Sequence, residues 1–313
     1  MVVNLDHAGI AFLMVVVAGL STCLGASAVF FNCLVQLASR RVLAAGLGFS
    51  SGIMLYVSFI EIFQKAKDGF TTAGIEEKHA YMMSTGCLFG GMILMRLVVA
   101  LTYLLDPEHE QEFEQLEKAA ETAPPGSHED GASLEHVGLE NKDAKAQDSM
   151  DPIDQKQTKK LLRMGLSTAL AITLHNLPEG LAGMVAGLID PSVGFTLTFA
   201  IAIHNIPEGL CVALPIYYST GSRLKGFLLA ALSGISEPIG ALVAWAIVAV
   251  SGDDMKGIVY GILFGTVAGI MIMLVCLELL PTAHRYDPHD SVVTTSMALG
   301  MLVMAVSLIL FML

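Results

Sequence analysis

The chain has 313 residues, of which 54% are hydrophobic and only 15% charged. An ordinary soluble domain carries about 25% charged residues, and one soluble core of this size could not hide so much apolar side chain, so lipid is the expected solvent. The net charge of −12 belongs to one stretch: from Asp106 to Lys156, 15 acidic residues stand against four lysines, which leaves the rest near neutral and gives nucleic-acid binding no basic patch.

Met1–His7 has no basic n-region and the first apolar run is long enough to span, so no cleavable signal peptide is expected. Eight stretches carry the roughly 20 mostly apolar residues that a membrane helix needs. They are Ala8–Leu37, Leu43–Phe63, Tyr81–Leu105, Arg163–Leu188, Val193–Tyr217, Leu224–Val250, Gly257–Leu280 and Val292–Leu313. The expected fold is an all-α polytopic membrane protein. Residues 1–105 hold spans 1–3, residues 106–160 form an acidic segment that reads as disordered, and residues 161–313 hold spans 4–8. Twelve cations, Arg40, Arg41, Arg223 and Arg285 among them, follow odd-numbered spans, against four after even-numbered ones. The positive-inside rule therefore puts the acidic loop in the cytosol and both termini on the other side of a plasma or organelle membrane. The five cysteines, Cys23, Cys33, Cys87, Cys211 and Cys276, lie in apolar runs without CxxC spacing and read as small buried hydrophobes.

A repeat is visible. Ser51–Glu61 and Ala268–Glu278 share Gly, Ile, Met and the final Glu at an offset of 217, and Gly19–Ala26 and Gly234–Ala241 match at an offset of 215. Spans 1 and 2 thus resemble spans 6 and 7 in order but in opposite orientation. This is an inverted repeat, spans 1–3 and 6–8 around the 4–5 pair, a plan that places substrate near the midplane.

The chemistry sits in spans 4, 5 and 6. Span 4 holds His175-Asn176-Leu177-Pro178-Glu179-Gly180, span 5 holds His204-Asn205-Ile206-Pro207-Glu208-Gly209, and span 6 holds Ser236-Glu237-Pro238. A charge at such depth costs about 2.5–3.5 kcal/mol on insertion scales, and no lysine or arginine is placed there to offset three glutamates. A divalent cation would. His and Glu at i and i+4 share a helical face and can reach one ion. Pro178 and Pro207 should free the carbonyls of Leu174 and Ile203, which is tolerable where they line a cavity. Imidazole with carboxylate suits zinc, iron(II), manganese or cobalt better than calcium or copper(I). Met54 is either core filler or a thioether reaching the site. Glu61 and Glu278 are expected near helix ends, solvated at the interface. His109, His128 and His136 are too sparse for a metal tract.

At these residues the chain resembles the ZIP family of metal-ion transporters, in particular its bacterial ZupT-type branch. The two H-N-x-P-E-G motifs and the Ser-Glu-Pro of span 6 are the most specific matches, and only the acidic loop falls outside the likeness. The resemblance implies a binuclear centre: His175, Glu179, His204 and Glu208 at one ion, and Asn176, Asn205 and Glu237 at the second, sharing Glu179 and Glu208. It puts Met54 where some members present a methionine to the first ion. It also implies flux toward the cytosol, with spans 1, 4, 5 and 6 sliding as a block against spans 2, 3, 7 and 8. Zinc or a related ion is then transported substrate, and no resident cofactor is expected. The expected partners are divalent metal ions and the lipid bilayer, with a homodimer left open. The rival reading of the residues is an intramembrane metal-dependent hydrolase, although its usual H-E-x-x-H form is absent. A metal sensor is a third.

Overall fold

The protein is described by a computed structural model over residues 5–105, 169, 173–251 and 256–312, and no strand occurs among those described residues. Among the described residues, seven helices are long and apolar enough to cross a membrane: α1 (Ala8–Phe30), α2 (Arg40–Thr72), α3 (Glu77–Leu101), α5 (Pro191–Tyr218), α6 (Arg223–Val250), α7 (Gly257–Tyr286) and α8 (Val293–Leu310). Between α3 and α5, residues 173–189 form α4. The acidic segment, its three histidines and most of residues 163–172 lie outside the described residues.

Local chemistry sets the ends of these helices. Ser39 accepts from the Val42 amide to start α2, and Ser222 does the same for Lys225 at the start of α6. Asp190 accepts from the Ser192 amide at 2.8 Å, with Pro191 occupying the first turn of α5 where its missing N–H costs nothing. Gly221 ends that helix in the left-handed region, at φ 67°. The expected first span, Ala8–Leu37, is broken: Phe31 is extended, and Asn32–Leu37 is a separate short helix with no buried residue. Leu37 is 63% exposed, Val35 packs against the core, and Arg223 donates across the break to the Phe30 carbonyl and to Asn32 Oδ1.

A second departure concerns Glu61 and Glu278. Both lie inside continuous helices rather than near their ends, because α2 runs on to Thr72 and α7 to Tyr286 through polar turns that a hydropathy reading cuts off. Each sits in a π-helical turn, Val57–Ile62 or Val275–Leu279. The turns fall in register with the offset of 217, so the repeat extends to a backbone irregularity.

Helix packing shows the repeat more fully. Where α1 crosses α5, a Cβ on Gly25 would overlap the Ile206 carbonyl oxygen, and one on Gly209 would overlap that of Thr22. Where α6 crosses α4, Gly240 stands in that relation to Leu177 and Gly180 to Glu237. Adding 215 to the α1 residues and subtracting 29 from those of α5 converts the first crossing into the second. The other half behaves alike: Gly52 meets Met297 and Gly300 meets Phe49 between α2 and α8, as Gly269 meets Leu88 and Gly91 meets Thr266 between α7 and α3. Small residues let membrane helices pack backbone to backbone where lipid supplies no hydrophobic drive between them. Large apolar side chains such as Leu20, Leu97, Leu242 and Leu310 are exposed on the outside of the bundle.

Candidate metal centre

The polar residues of α4, α5 and α6 converge in the interior. His175, Asn176, Glu179, His204, Asn205, Glu208 and Glu237 are all buried, each exposed by 2% or less. His175 and Glu179 lie one turn apart on α4, with Nε2 3.1 Å from Glu179 Oε1 and 3.5 Å from Glu208 Oε1. His204 Nε2 approaches Glu179 Oε1 at 2.8 Å, so α4 and α5 share that carboxylate. Ligand atoms of His175, Glu179 and His204 all lie within 4.8 Å of one another.

The hydrogen-bond accounting shows what this set can hold. His204 Nδ1 lies 3.0 Å from the Ala200 carbonyl, and its Nε2 faces a carboxylate, so both ring nitrogens point at acceptors. A neutral imidazole has one N–H and cannot satisfy both. Either a proton is added, on the ring or on the Glu179 carboxyl, or a cation is shared by Nε2 and the carboxylate. An N–H bonded to a backbone carbonyl is the usual way of fixing a metal-binding imidazole. Glu179 Oε2, both oxygens of Glu208 and Glu237 Oε2 are buried without a hydrogen-bond partner among the described residues. Arg96, the arginine of α3, is exposed on the bundle's outside. Buried carboxylate oxygens without donors are expensive unless a cation meets them, and oxygen with imidazole nitrogen suits a divalent transition metal.

The asparagines extend the pattern. Asn176 Nδ2 donates to the Ser233 carbonyl at 3.3 Å, and Asn205 Nδ2 donates to the Ala18 carbonyl at the same distance. Ala18 and Ser233 are related by the offset of 215, so the two halves hold their amides in equivalent ways. Each amide is thereby turned so that Oδ1 remains free in the interior. Asn205 Nδ2 also donates to Glu237 Oε1, which joins α5 to α6.

Met54 is fully buried on α2. One turn before it, Ser50 Oγ donates to the His204 carbonyl at 3.1 Å, which fastens α2 to α5 at the site. Sequence reading missed Ser50 and the two carbonyls; applying the offset of 215 to the neighbours of Gly19 would have found Ala18 and Ser233 as a pair. Glu61 stands apart from the centre and pairs with Lys65 at 3.6 Å. Glu278 lies within electrostatic reach of Arg285 and His175.

A family model described as ZIP zinc transporter matches residues 5–308. The chain belongs to the ZIP family. It is 39% identical over 306 residues to the zinc transporter ZupT of Streptococcus mutans, covering 98% of this chain and 99% of that one. It is 40% identical over 309 residues to the zinc transporter ZupT of Clostridium perfringens, covering 98% of each. Against the zinc transporter ZupT of Campylobacter jejuni it is 38% identical, over 96% of this chain and 95% of the relative. Likeness of this extent takes in every helix described above.

Proposed function

We propose that this chain carries divalent transition-metal ions across a membrane toward the cytosol, with zinc the foremost cargo and iron(II), manganese, cobalt and cadmium within its donor chemistry. The observation that carries the reading is His204, whose two ring nitrogens both face acceptors beside buried carboxylate oxygens that lack donors. The names of the ZupT relatives support zinc. In this reading His175, Glu179, His204 and Glu208 hold one ion, with Met54 facing it from α2. Asn176, Asn205 and Glu237 hold a second, sharing Glu179 and Glu208. The acidic segment 106–160 lies in the cytosol, separates spans 1–3 from spans 4–8, and takes no part in conduction. The termini lie on the opposite side.

Packing supports movement of one helix block against another. Every described glycine that abuts a neighbouring helix through backbone does so within α1, α4, α5 and α6 or within α2, α3, α7 and α8. Between the blocks the corresponding contact is Gly46 against the Pro207 ring, side chain rather than backbone. Interlocked backbones travel together, whereas a boundary of side-chain contacts can slip once the Ser50 bond to the His204 carbonyl is released. Three glutamates and the histidines lie on one block, so the ion would ride with it past Met54.

The hydrolase alternative requires an open coordination position and a general base acting on a bound substrate. The paired motifs in an inverted repeat fit a conduit better, and the family is named for transport. Uptake of radiolabelled zinc into proteoliposomes containing the purified chain tests the proposal. Accumulation above empty vesicles is expected, and its absence with correctly inserted protein would refute it.

A further inference from the structure

The repeat pairs His175 with His204, Asn176 with Asn205 and Glu179 with Glu208, but it leaves Glu237 without a carboxylate counterpart. At the offset of 215 that relates Ala18 to Ser233 and Gly19 to Gly234, Glu237 corresponds to Thr22. The helices cross at those glycines. A Cβ on Gly19 would lie 2.7 Å from the Gly234 carbonyl oxygen and 3.6 Å from Glu237 Cβ. One on Gly234 would lie 2.7 Å from the Gly19 carbonyl oxygen and 3.3 Å from Thr22 Cβ. The crossing is thus close to two-fold symmetric, and Thr22 and Glu237 flank it from opposite sides. A residue that leaves α6 toward the centre at position 237 has its equivalent leaving α1 toward the centre at position 22.

Thr22 also lacks the bond that most serine and threonine hydroxyls of the bundle make, a lack it shares with Ser58 among the described residues. A helical Ser or Thr ordinarily returns its hydroxyl to a carbonyl about one turn back. Ser21 does so to Ala18, Thr173 to Ala169 and Thr198 to Gly194. Thr22 is 0% exposed, and its Oγ1 has no hydrogen-bond partner among the described residues. Glu237, also 0% exposed, spends Oε1 on Asn205 and keeps Oε2 unpartnered. Both halves therefore present one unsatisfied oxygen beside the centre, a charged one from α6 and a neutral one from α1.

We propose that the Thr22 hydroxyl is a further oxygen donor to the ion centre, placed opposite Glu237 and bonded to a water held by the second ion. The hydroxyl sits on a shorter side chain than a carboxylate would, so a bound water completes the reach. This inference rests on the transport reading above. It also explains the asymmetry chemically: a hydroxyl oxygen accepts from an ion-bound water without adding the fourth negative charge that would hold the ion too tightly to release it.

The test uses the full-length protein with Thr22→Val, which keeps the shape, and Thr22→Ser, which keeps the hydroxyl. Unfolding midpoints in detergent, with chelator and with zinc, are compared with zinc uptake in proteoliposomes. Thr22→Val should unfold at a higher temperature than wild type in chelator, because an orphaned buried hydroxyl is gone. It should show a smaller zinc-induced rise and an apparent KM raised about five- to tenfold, the size of one lost hydrogen bond between neutral groups. Thr22→Ser should restore the wild-type KM. If Thr22→Val fails to fold, Thr22→Ala carries the same expectations for KM and zinc-induced shift. A lower midpoint in chelator with an intact zinc-induced rise would mark the hydroxyl as merely structural and overturn the proposal, as would an unchanged KM. A wild-type protein with neither uptake nor zinc-induced shift would overturn the transport reading and this inference with it.

Discussion

Replacing Asn205 with Asp changes almost nothing in shape and exchanges a donor for a charged acceptor. In the wild type, Nδ2 of Asn205 donates to the Ala18 carbonyl at 3.3 Å and to Glu237 Oε1. Both contacts become acceptor against acceptor in the variant, and the second also becomes carboxylate against carboxylate. Losing one neutral hydrogen bond and one to a charged group costs about 2–4 kcal/mol. Asn176→Asp loses only the neutral contact, to the Ser233 carbonyl, so its cost should be about 0.5–1.5 kcal/mol. With two divalent ions present the balance reverses. Three glutamates already face about four positive charges, and a fourth carboxylate tightens binding and slows release. Asn205→Asp should therefore melt well below wild type in chelator, gain more from zinc than wild type does, and show a lower apparent KM with a lower maximal flux. The assays are thermal unfolding in detergent with and without zinc, and concentration-dependent uptake in vesicles corrected for protein amount. Equal metal-free stability of Asn205→Asp and wild type would refute the assigned amide orientation. Wild-type KM and flux together would show that Asn205 does not face the permeating ion.

Glu179→Ala and Glu208→Ala should each abolish zinc uptake while the protein still inserts; near-normal uptake by both folded variants would remove them from the site. Deleting Asp106–Asp154 should leave KM and flux per inserted molecule unchanged, since the segment lies outside every span, and complete loss of uptake by a correctly localised deletion would contradict that. Gly25→Val and Gly240→Val should destabilise the protein similarly, by about 1–3 kcal/mol or more, because repeat-related carbonyls stand where the new side chains would go. Gly86→Ala has open space around it and should be silent in the same unfolding assay.

Much of the fold can be read in the sequence because the membrane imposes a coarse, local signal. The apolar runs locate the helices, and Asp190-Pro191-Ser192 and Gly221-Ser222 mark their boundaries by capping chemistry that acts within a few residues. The site is legible for a related reason. His175, Glu179, His204, Glu208 and Glu237 are types that lipid penalises, so their presence at mid-span is itself informative. What escaped is whatever depends on a neighbour distant in sequence. Nothing in the composition of Ala8–Leu37 announces that the chain turns at Phe31, where Arg223, distant in sequence, bonds the Phe30 carbonyl and the Asn32 side chain. The π-helical turns around Glu61 and Glu278 are visible only in the backbone. Ser50 reads as one more small residue until its hydroxyl is seen on the His204 carbonyl. The repeat is the intermediate case: two short matches suggest it, yet the paired glycine crossings are visible only when the opposing carbonyls are in place.

Three buried carboxylates with too few donors imply that the protein gives up stability for its site, and Glu237 exposes that trade most directly. Its Oε1 accepts from Asn205 and its Oε2 has no partner among the described residues, while Glu179 and Glu208 lie near enough to repel it. Glu237→Gln retains an oxygen for the Asn205 bond and puts a donor amide where the orphaned oxygen stands. It removes a buried carboxyl whose charge must be offset by a metal ion or neutralised by a proton. Leaving such a charge uncompensated costs several kcal/mol in general, so part of that, about 1–3 kcal/mol, should return as metal-free stability in the variant. The bound state moves the other way. A ligand present at about 100 times its Kd contributes about 2.7 kcal/mol of stabilisation, and an ion that has lost its carboxylate contributes less. Glu237→Gln should thus unfold at a higher temperature than wild type in chelator, show a reduced zinc-induced rise, and transport zinc with a raised KM. A protein packed for stability alone would give the opposite first result, because Glu237 would then be a satisfied polar group. Differential unfolding in chelator, at matched protein and detergent concentration, decides it: a variant less stable than wild type without metal would show that Glu237 is held by bonds of its own and does not await an ion.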